Sequence, residues 1–112
     1  MPTWKANWTE SRERLLAWWK RKGVIQGKWN YSRREGSPVE AVPRPVEPES
    51  PERLHCDPVL RAEWNHYQLS RSDFREDTLP IAETDLGPGS LCLYLGCEPH
   101  FNPDTVWYDP CW

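Results

Sequence analysis

The stretch "GSPVEAVPRPVEPESP", Gly36 to Pro51, places Pro38, Pro43, Pro45, Pro48 and Pro51 among acidic and small residues. Each proline lacks the backbone N–H that a helix ladder or a central strand needs, and each holds φ at about −65°. Regular structure cannot run through this part of the chain. Residues 36–52 therefore read as an extended linker or surface arm between the elements on either side. A Pro-rich segment is also preformed for docking into an aromatic groove, so a ligand role stands beside the connector role.

Before the arm, Asn7 followed by Glu10 resembles a capping box, and Trp8, Arg12, Leu15, Leu16 and Trp19 recur at helical spacing. A helix from about Trp8 to Lys22 is predicted, with Trp8 and Trp19 on its buried stripe and Trp18 left exposed. Lys20, Arg21 and Lys22 suit the negative end of its dipole, and Gly23 suits a left-handed cap. After the arm, Asp57-Pro58 supplies an N-cap and a proline at the first helical position. Leu60, Trp64 and Tyr67 then mark one face of a second helix, up to about Ser70.

The run "DTLPIAETD" gives one short strand, Leu79 to Glu83, with Pro80 near its start. "SLCLYLG" fits either period, but Gly87-Pro88-Gly89 ahead and Gly96 behind favour a two-turn helix. "EPHF" and "TVWYD", split by Asn102-Pro103-Asp104, predict a hairpin. These elements do not close a sheet, and a strand-turn-helix unit normally has neighbouring strands on both sides. The expected fold class is α/β, with residues 1–112 the N-terminal piece of a longer domain.

The net charge of −3 gives no general attraction to phosphate backbones or anionic lipid, so nucleic acid is not an expected partner. Neither a signal peptide nor a membrane span of ~20 apolar residues is read from the sequence, so a cytoplasmic protein is expected. In that compartment Cys56, Cys92, Cys97 and Cys111 read as thiols rather than as a disulfide framework. No C-x-x-C pair accompanies His100, which argues against zinc, and the glycine spacings of dinucleotide and P-loop sites are absent. No metal and no cofactor is expected.

Asp85 lies at the carboxyl end of the predicted strand, where open α/β sheets and barrels place ligand groups. A carboxylate there can accept N–H hydrogen bonds from a substrate, and Gly87 and Gly89 let backbone approach closely. Thr84, Gly87, Gly89 and Ser90 are the accompanying substrate-binding candidates. Local turn chemistry explains the same residues: Asp85 can cap its own backbone, and Gly87-Pro88-Gly89-Ser90 can be a plain helix entry. His55 and His66 lack partners at catalytic spacing and read as surface or packing residues.

From Leu79 to Tyr108 the order "LPIAETD", "SLCLYLGCE" and "FNPDTVWYDP" resembles the uroporphyrinogen decarboxylase family. That family is a (β/α)8 barrel superfamily which also contains corrinoid-dependent methyltransferases. The resemblance implies an incomplete N-terminal portion of a TIM-like barrel and a small-molecule substrate, either a tetrapyrrole or a corrinoid-linked methyl donor. It also implies that Asp85 is the strand-end carboxylate that holds pyrrole N–H groups in the decarboxylases. "NWTESRERLLAWW" stands where those enzymes carry an Arg-Gln-Ala-Gly-Arg segment, and Gly87-Pro88-Gly89 lengthens the loop, which together imply a divergent relative with another substrate. A different class of reading is a small Trp-rich interaction module without catalytic activity, binding through its Pro-rich arm or its exposed rings.

Overall fold

The computed structural model describes residues 4–27 and 31–111; Trp29 and Trp112 lie outside them. In chain order the elements are α1 (Trp8–Trp19), β1 (Ser32–Arg33), α2 (Pro51–Cys56), α3 (Pro58–Ser70), β2 (Ser72–Asp73), α4 (Ser90–Tyr94), β3 (Pro99–Phe101) and β4 (Val106–Tyr108). Strands β1 and β2 pair antiparallel with Ser32 opposite Asp73, and β3 and β4 pair antiparallel with His100 opposite Trp107. The chain divides into two compact units, Met1–Pro43 with His66–Ile81 and Arg44–Asn65 with Ala82–Trp112.

In the first unit α1 forms where its spacing predicts, but its ends are built differently. Asn7 makes no side-chain cap. Its amide instead donates to the Glu76 carbonyl at 3.0 Å, so the expected capping box is not formed. At the other end the Arg21 N–H bonds the Trp18 carbonyl and the Lys22 N–H bonds the Ala17 carbonyl, a Schellman pair with Arg21 itself left-handed at φ 59°. The cap expected at Gly23 thus sits two residues earlier, although Gly23 is also left-handed. The buried residue of α1 is Ser11, whereas Trp8, Leu16 and Trp19 are exposed, Trp19 at 79%. The apolar stripe expected to form core is outward-facing because polar contacts orient the helix.

Those contacts converge on the turn Phe74–Thr78. The Glu76 carbonyl accepts from Lys5 Nζ and from Ser11 Oγ (2.8 Å) as well as from Asn7. Lys5 Nζ also donates to the Phe74 carbonyl at 2.9 Å. Asp77, buried, accepts from Arg14 Nε at 2.8 Å and from the Gln26 N–H at 3.0 Å, while its own N–H bonds the Gln26 carbonyl at 2.7 Å. Tyr31 packs edge-on against buried Phe74 with ring centroids 5.0 Å apart.

The strand expected over Leu79 to Glu83 is not formed; the segment belongs to no helix and no sheet. Side chains take the place of a neighbouring strand. In the first unit the Tyr31 hydroxyl lies 3.0 Å from the Leu79 carbonyl and accepts the Ile81 N–H at 3.1 Å. In the second unit the Asn65 amide meets both backbone groups of Glu83, accepting its N–H at 3.2 Å and donating to its carbonyl at 2.8 Å. Pro80 has no N–H to give a ladder, and the Leu79 carbonyl and both backbone groups of Ile81 and Glu83 find partners without one.

The Pro-rich arm carries no helix or strand over 34–50, as expected, but it is tied down in both units. Val39 N–H bonds the Ser70 carbonyl at 2.9 Å and Glu40 faces His66 at 3.3 Å in the first. In the second, Trp64 Nε1 donates to the Val46 carbonyl at 3.2 Å and the Arg44 guanidinium lies over the Trp64 ring. Helix α2 is not among the elements expected from the sequence. Ser50 accepts the Arg53 N–H at 3.2 Å and Pro51 stands in the first turn, an N-cap and N1 pair like the Asp57-Pro58 pair that opens α3. Asp57 Oδ1 accepts the Val59 and Leu60 N–H groups, both at 3.0 Å, as its position predicts.

Two outcomes follow for stability. Arg21→Gly removes a side chain from a left-handed position and is expected to stabilise by roughly 1 kcal/mol, while Gly23→Ala, at φ +84° with open space around it, is expected to lower the melting midpoint. Hydrogen bonding from the Gln26 N–H, and then from Arg14 and Ser11, depresses the Asp77 pKa against an opposing effect of burial. Its contribution is present above the usual carboxylate range of about 4 and is lost as pH falls through the lowered folded value. Asp77→Asn should therefore cost roughly 1–3 kcal/mol at neutral pH and flatten the acid limb of a melting-temperature profile.

Candidate functional site

The residues singled out by sequence, Thr84 to Ser90, form the turn that leads into α4 in the second unit. Asp85 is exposed, and its Oδ1 accepts the Gly87 N–H at 2.8 Å. That bond is the local cap foreseen as one of the two uses of this carboxylate. It also fixes the carboxylate's orientation, and Oδ2 has no hydrogen-bond partner among the described residues. Arg61, from α3, holds the entry to the turn by donating to the Glu83 carbonyl at 3.1 Å and to the Asp85 carbonyl.

Ser90 closes the turn from the other side. Its hydroxyl donates to the Gly87 carbonyl at 2.7 Å and accepts the Leu86 N–H at 3.1 Å, and its N–H points to the same Gly87 carbonyl at 3.3 Å. The N–H groups of Leu86, Gly87 and Ser90 are thus engaged within the turn. Thr84 is exposed beside Asp85.

The hairpin β3–β4 forms the floor. Gly87 has φ +83°, and a Cβ there would stand 2.6 Å from the Val106 carbonyl oxygen. A Cβ on Gly89 would stand 2.7 Å from the Tyr108 ring. Tyr108 donates its hydroxyl to the Leu86 carbonyl at 2.8 Å, and burial raises its pKa. Both glycines are therefore demanded by close packing of the turn on β4, and Gly87 also by its left-handed backbone. Gly96, at φ +86°, ends α4 as predicted, with its N–H on the Leu93 carbonyl and the Cys97 N–H on the Cys92 carbonyl.

Other chemistry-bearing side chains are paired elsewhere. His55 Nε2 lies 2.9 Å from the Asn102 carbonyl and its ring stacks on Phe101. His100 lies 2.8 Å from Asp109, whose hydrogen bond and charge raise the imidazole pKa. Among the described residues no group of three or more His, Cys, Asp and Glu side chains is placed to hold a metal ion. No helix among them is long and apolar enough to cross a membrane. Trp18 and Trp19 form a tilted pair at 5.9 Å in the first unit, lining an open cleft with Arg21 and Gly23. Arg61 and Tyr108, which build the turn, escaped the sequence reading; Arg61 lies on α3 and bonds carbonyls, which carry no residue-type signal.

Compared with models of protein families, with curated proteins and with solved structures, the chain gives no match.

The packing of the turn is open to a direct measurement. Gly87→Ala is expected to destabilise by more than about 2 kcal/mol, from the left-handed φ and the clash with Val106 together. Gly96→Ala, at a similar φ with nothing within 4 Å, should lose only the conformational part. Equal losses at the two positions would show that the turn does not sit on β4.

Proposed function

We propose that the chain is the N-terminal portion of a divergent enzyme of the uroporphyrinogen decarboxylase family, acting on a small molecule at a site to which Asp85 contributes. The observation that carries this reading is the Asp85 carboxylate: exposed, oriented by the Gly87 N–H, and with Oδ2 unpartnered among the described residues. A carboxylate so held accepts N–H hydrogen bonds from a ligand without first losing its own bonds, and stabilises positive charge developing on it. Pyrrole N–H groups of a tetrapyrrole suit it, as does a cationic centre in a methyl-transfer reaction.

Two further observations support the reading. The residues that carry the family resemblance form the turn, α4 and the hairpin in the implied order, although the implied strand at Leu79 to Glu83 is not formed. Apolar side chains of this unit also stand uncovered, among them Leu91 (70%), Leu95 (64%) and Trp107 (61%). Additional polypeptide of the barrel would cover such side chains. A cytoplasmic location belongs to the same proposal.

A second reading, a Trp-rich interaction module without catalysis, is favoured by one observation. Trp18 and Trp19 are exposed at 45% and 79% on a helix whose buried face is elsewhere. Exposed paired rings are large, rigid contact groups of the kind that dominate recognition surfaces.

The deciding experiment is Asp85→Asn in the full-length protein, assayed for decarboxylation of a tetrapyrrole acetate and for corrinoid-dependent methyl transfer. Asparagine keeps an oxygen to accept the Gly87 N–H but removes the charge, so the turn survives. A fall in kcat/KM of more than about tenfold with an unchanged melting midpoint is expected. Unchanged turnover would remove Asp85 from the site, and absence of both activities, with partner binding abolished by Trp18→Ala and Trp19→Ala, would favour the module.

A further inference from the structure

Cys97 and Cys111 bring their sulfurs to 2.9 Å, with Cys97 donating its S–H to Cys111. They flank the base of the β3–β4 hairpin, just outside the backbone bond from Asp109 N–H to the Glu98 carbonyl. The two thiols differ in access. Cys97 is buried at 4% exposure, whereas Cys111 is exposed. Cys56 is exposed, and no sulfur-to-sulfur contact joins it to another cysteine among the described residues.

We propose that Cys97 and Cys111 are a redox-active dithiol: a low-molecular-weight disulfide oxidises the pair to an intramolecular disulfide that closes the base of the hairpin. Exposed Cys111, as its thiolate, attacks one sulfur of the small disulfide R–S–S–R, forming a mixed disulfide and expelling one R–S⁻. Cys97 then loses its proton to solvent and attacks the Cys111 sulfur, which forms the Cys97–Cys111 bond and expels the second R–S⁻. Two protein thiols are oxidised and one disulfide is reduced to two thiols, so atoms and electrons balance.

The geometry assigns the order of events. An oxidant in solution reaches Cys111 and not the buried Cys97. The hydrogen bond to Cys111, and then burial, hold the Cys97 thiol up at about 11, so it is the protonated partner that acts second, by proximity. Bringing the sulfurs from 2.9 Å to a covalent separation of about 2.05 Å moves them by less than about 1 Å. The bridge would fix β4, whose Val106 and Tyr108 back the turn at Gly87 and Gly89. The inference stands independently of the enzymatic reading.

The test equilibrates the reduced full chain with oxidised glutathione and reads intact mass and peptide maps. The expected product is about 2 Da lighter, with one bridge joining the Cys97 and Cys111 peptides. Cys97→Ala should trap a stable glutathione adduct on Cys111, which the wild-type chain resolves, and Cys111→Ser should yield neither adduct nor bridge at Cys97. Cys56→Ser should leave the bridge unchanged. A wild-type chain that retains glutathione on Cys111, or one whose bridge maps to Cys92 or Cys56, would overturn the proposal; the wild-type map decides even if Cys97→Ala fails to fold.

Discussion

The Glu76 carbonyl oxygen accepts hydrogen bonds from Lys5, Asn7 and Ser11, and the first unit depends on that convergence. Glu76 itself has φ 50°, a left-handed conformation that a residue with a Cβ resists. The turn persists because three donors and the adjacent Asp77 network hold it from outside. Among the described residues of this unit the fully buried side chains are mostly polar, Lys5, Ser11, Ser70, Ser72, Asp77 and Thr78, with Phe74 the buried apolar one. A hydrogen bond contributes only about 1 kcal/mol net, yet removing one partner leaves a buried group unsatisfied at a cost of roughly 1–3 kcal/mol. Such a network adds modest stability and strong specificity, because alternative arrangements of α1 would strand Lys5 Nζ or the Asp77 carboxylate.

The same constraint explains why α1 shows its tryptophans to solvent. A helix turns its most favourable face inward, and here Ser11 and Arg14 bind Glu76 and Asp77 while Trp8, Leu16 and Trp19 face outward. Hydrophobic burial would bring about 1.5–3 kcal/mol for a large side chain, but only against a surface able to receive it. The turn Phe74–Thr78 presents carbonyls and a carboxylate rather than an apolar socket.

How much of this was legible in the sequence follows from whether each signal is local. The α3 start is written in Asp57-Pro58, the α4 stop in Gly96, and the hairpin in Asn102-Pro103-Asp104, and each appears where those residues place it. Ser50-Pro51 carries the same cap signal as Asp57-Pro58, but its place at the end of a proline run hid α2. The expected strand at Leu79 to Glu83 failed for a different reason. The partners of its backbone groups are the Tyr31 hydroxyl and the Asn65 amide, which no pattern of alternating residues announces. The two-residue pairing of β1 with β2 joins segments far apart in the chain, and Asp85 was legible as a turn residue, but neither the Arg61 bond to its carbonyl nor the packing of Gly87 and Gly89 on β4 was.

Structural necessity and chemical use are not rivals at this turn. Gly87 and Gly89 are required by the nearness of Val106 and Tyr108, and that nearness is what makes the turn rigid. Rigidity has a consequence for the carboxylate it carries: Asp85 Oδ1 is committed to Gly87, so Oδ2 is presented in one direction rather than sampling many. On the proposed reading, binding there would cost little side-chain entropy, whereas a freely rotating surface aspartate would lose more. The hairpin is the source of this order, since it supplies the Tyr108 hydroxyl bond to Leu86 and the wall against Gly87. Cys97 and Cys111 meet at the base of this same hairpin, within the same unit.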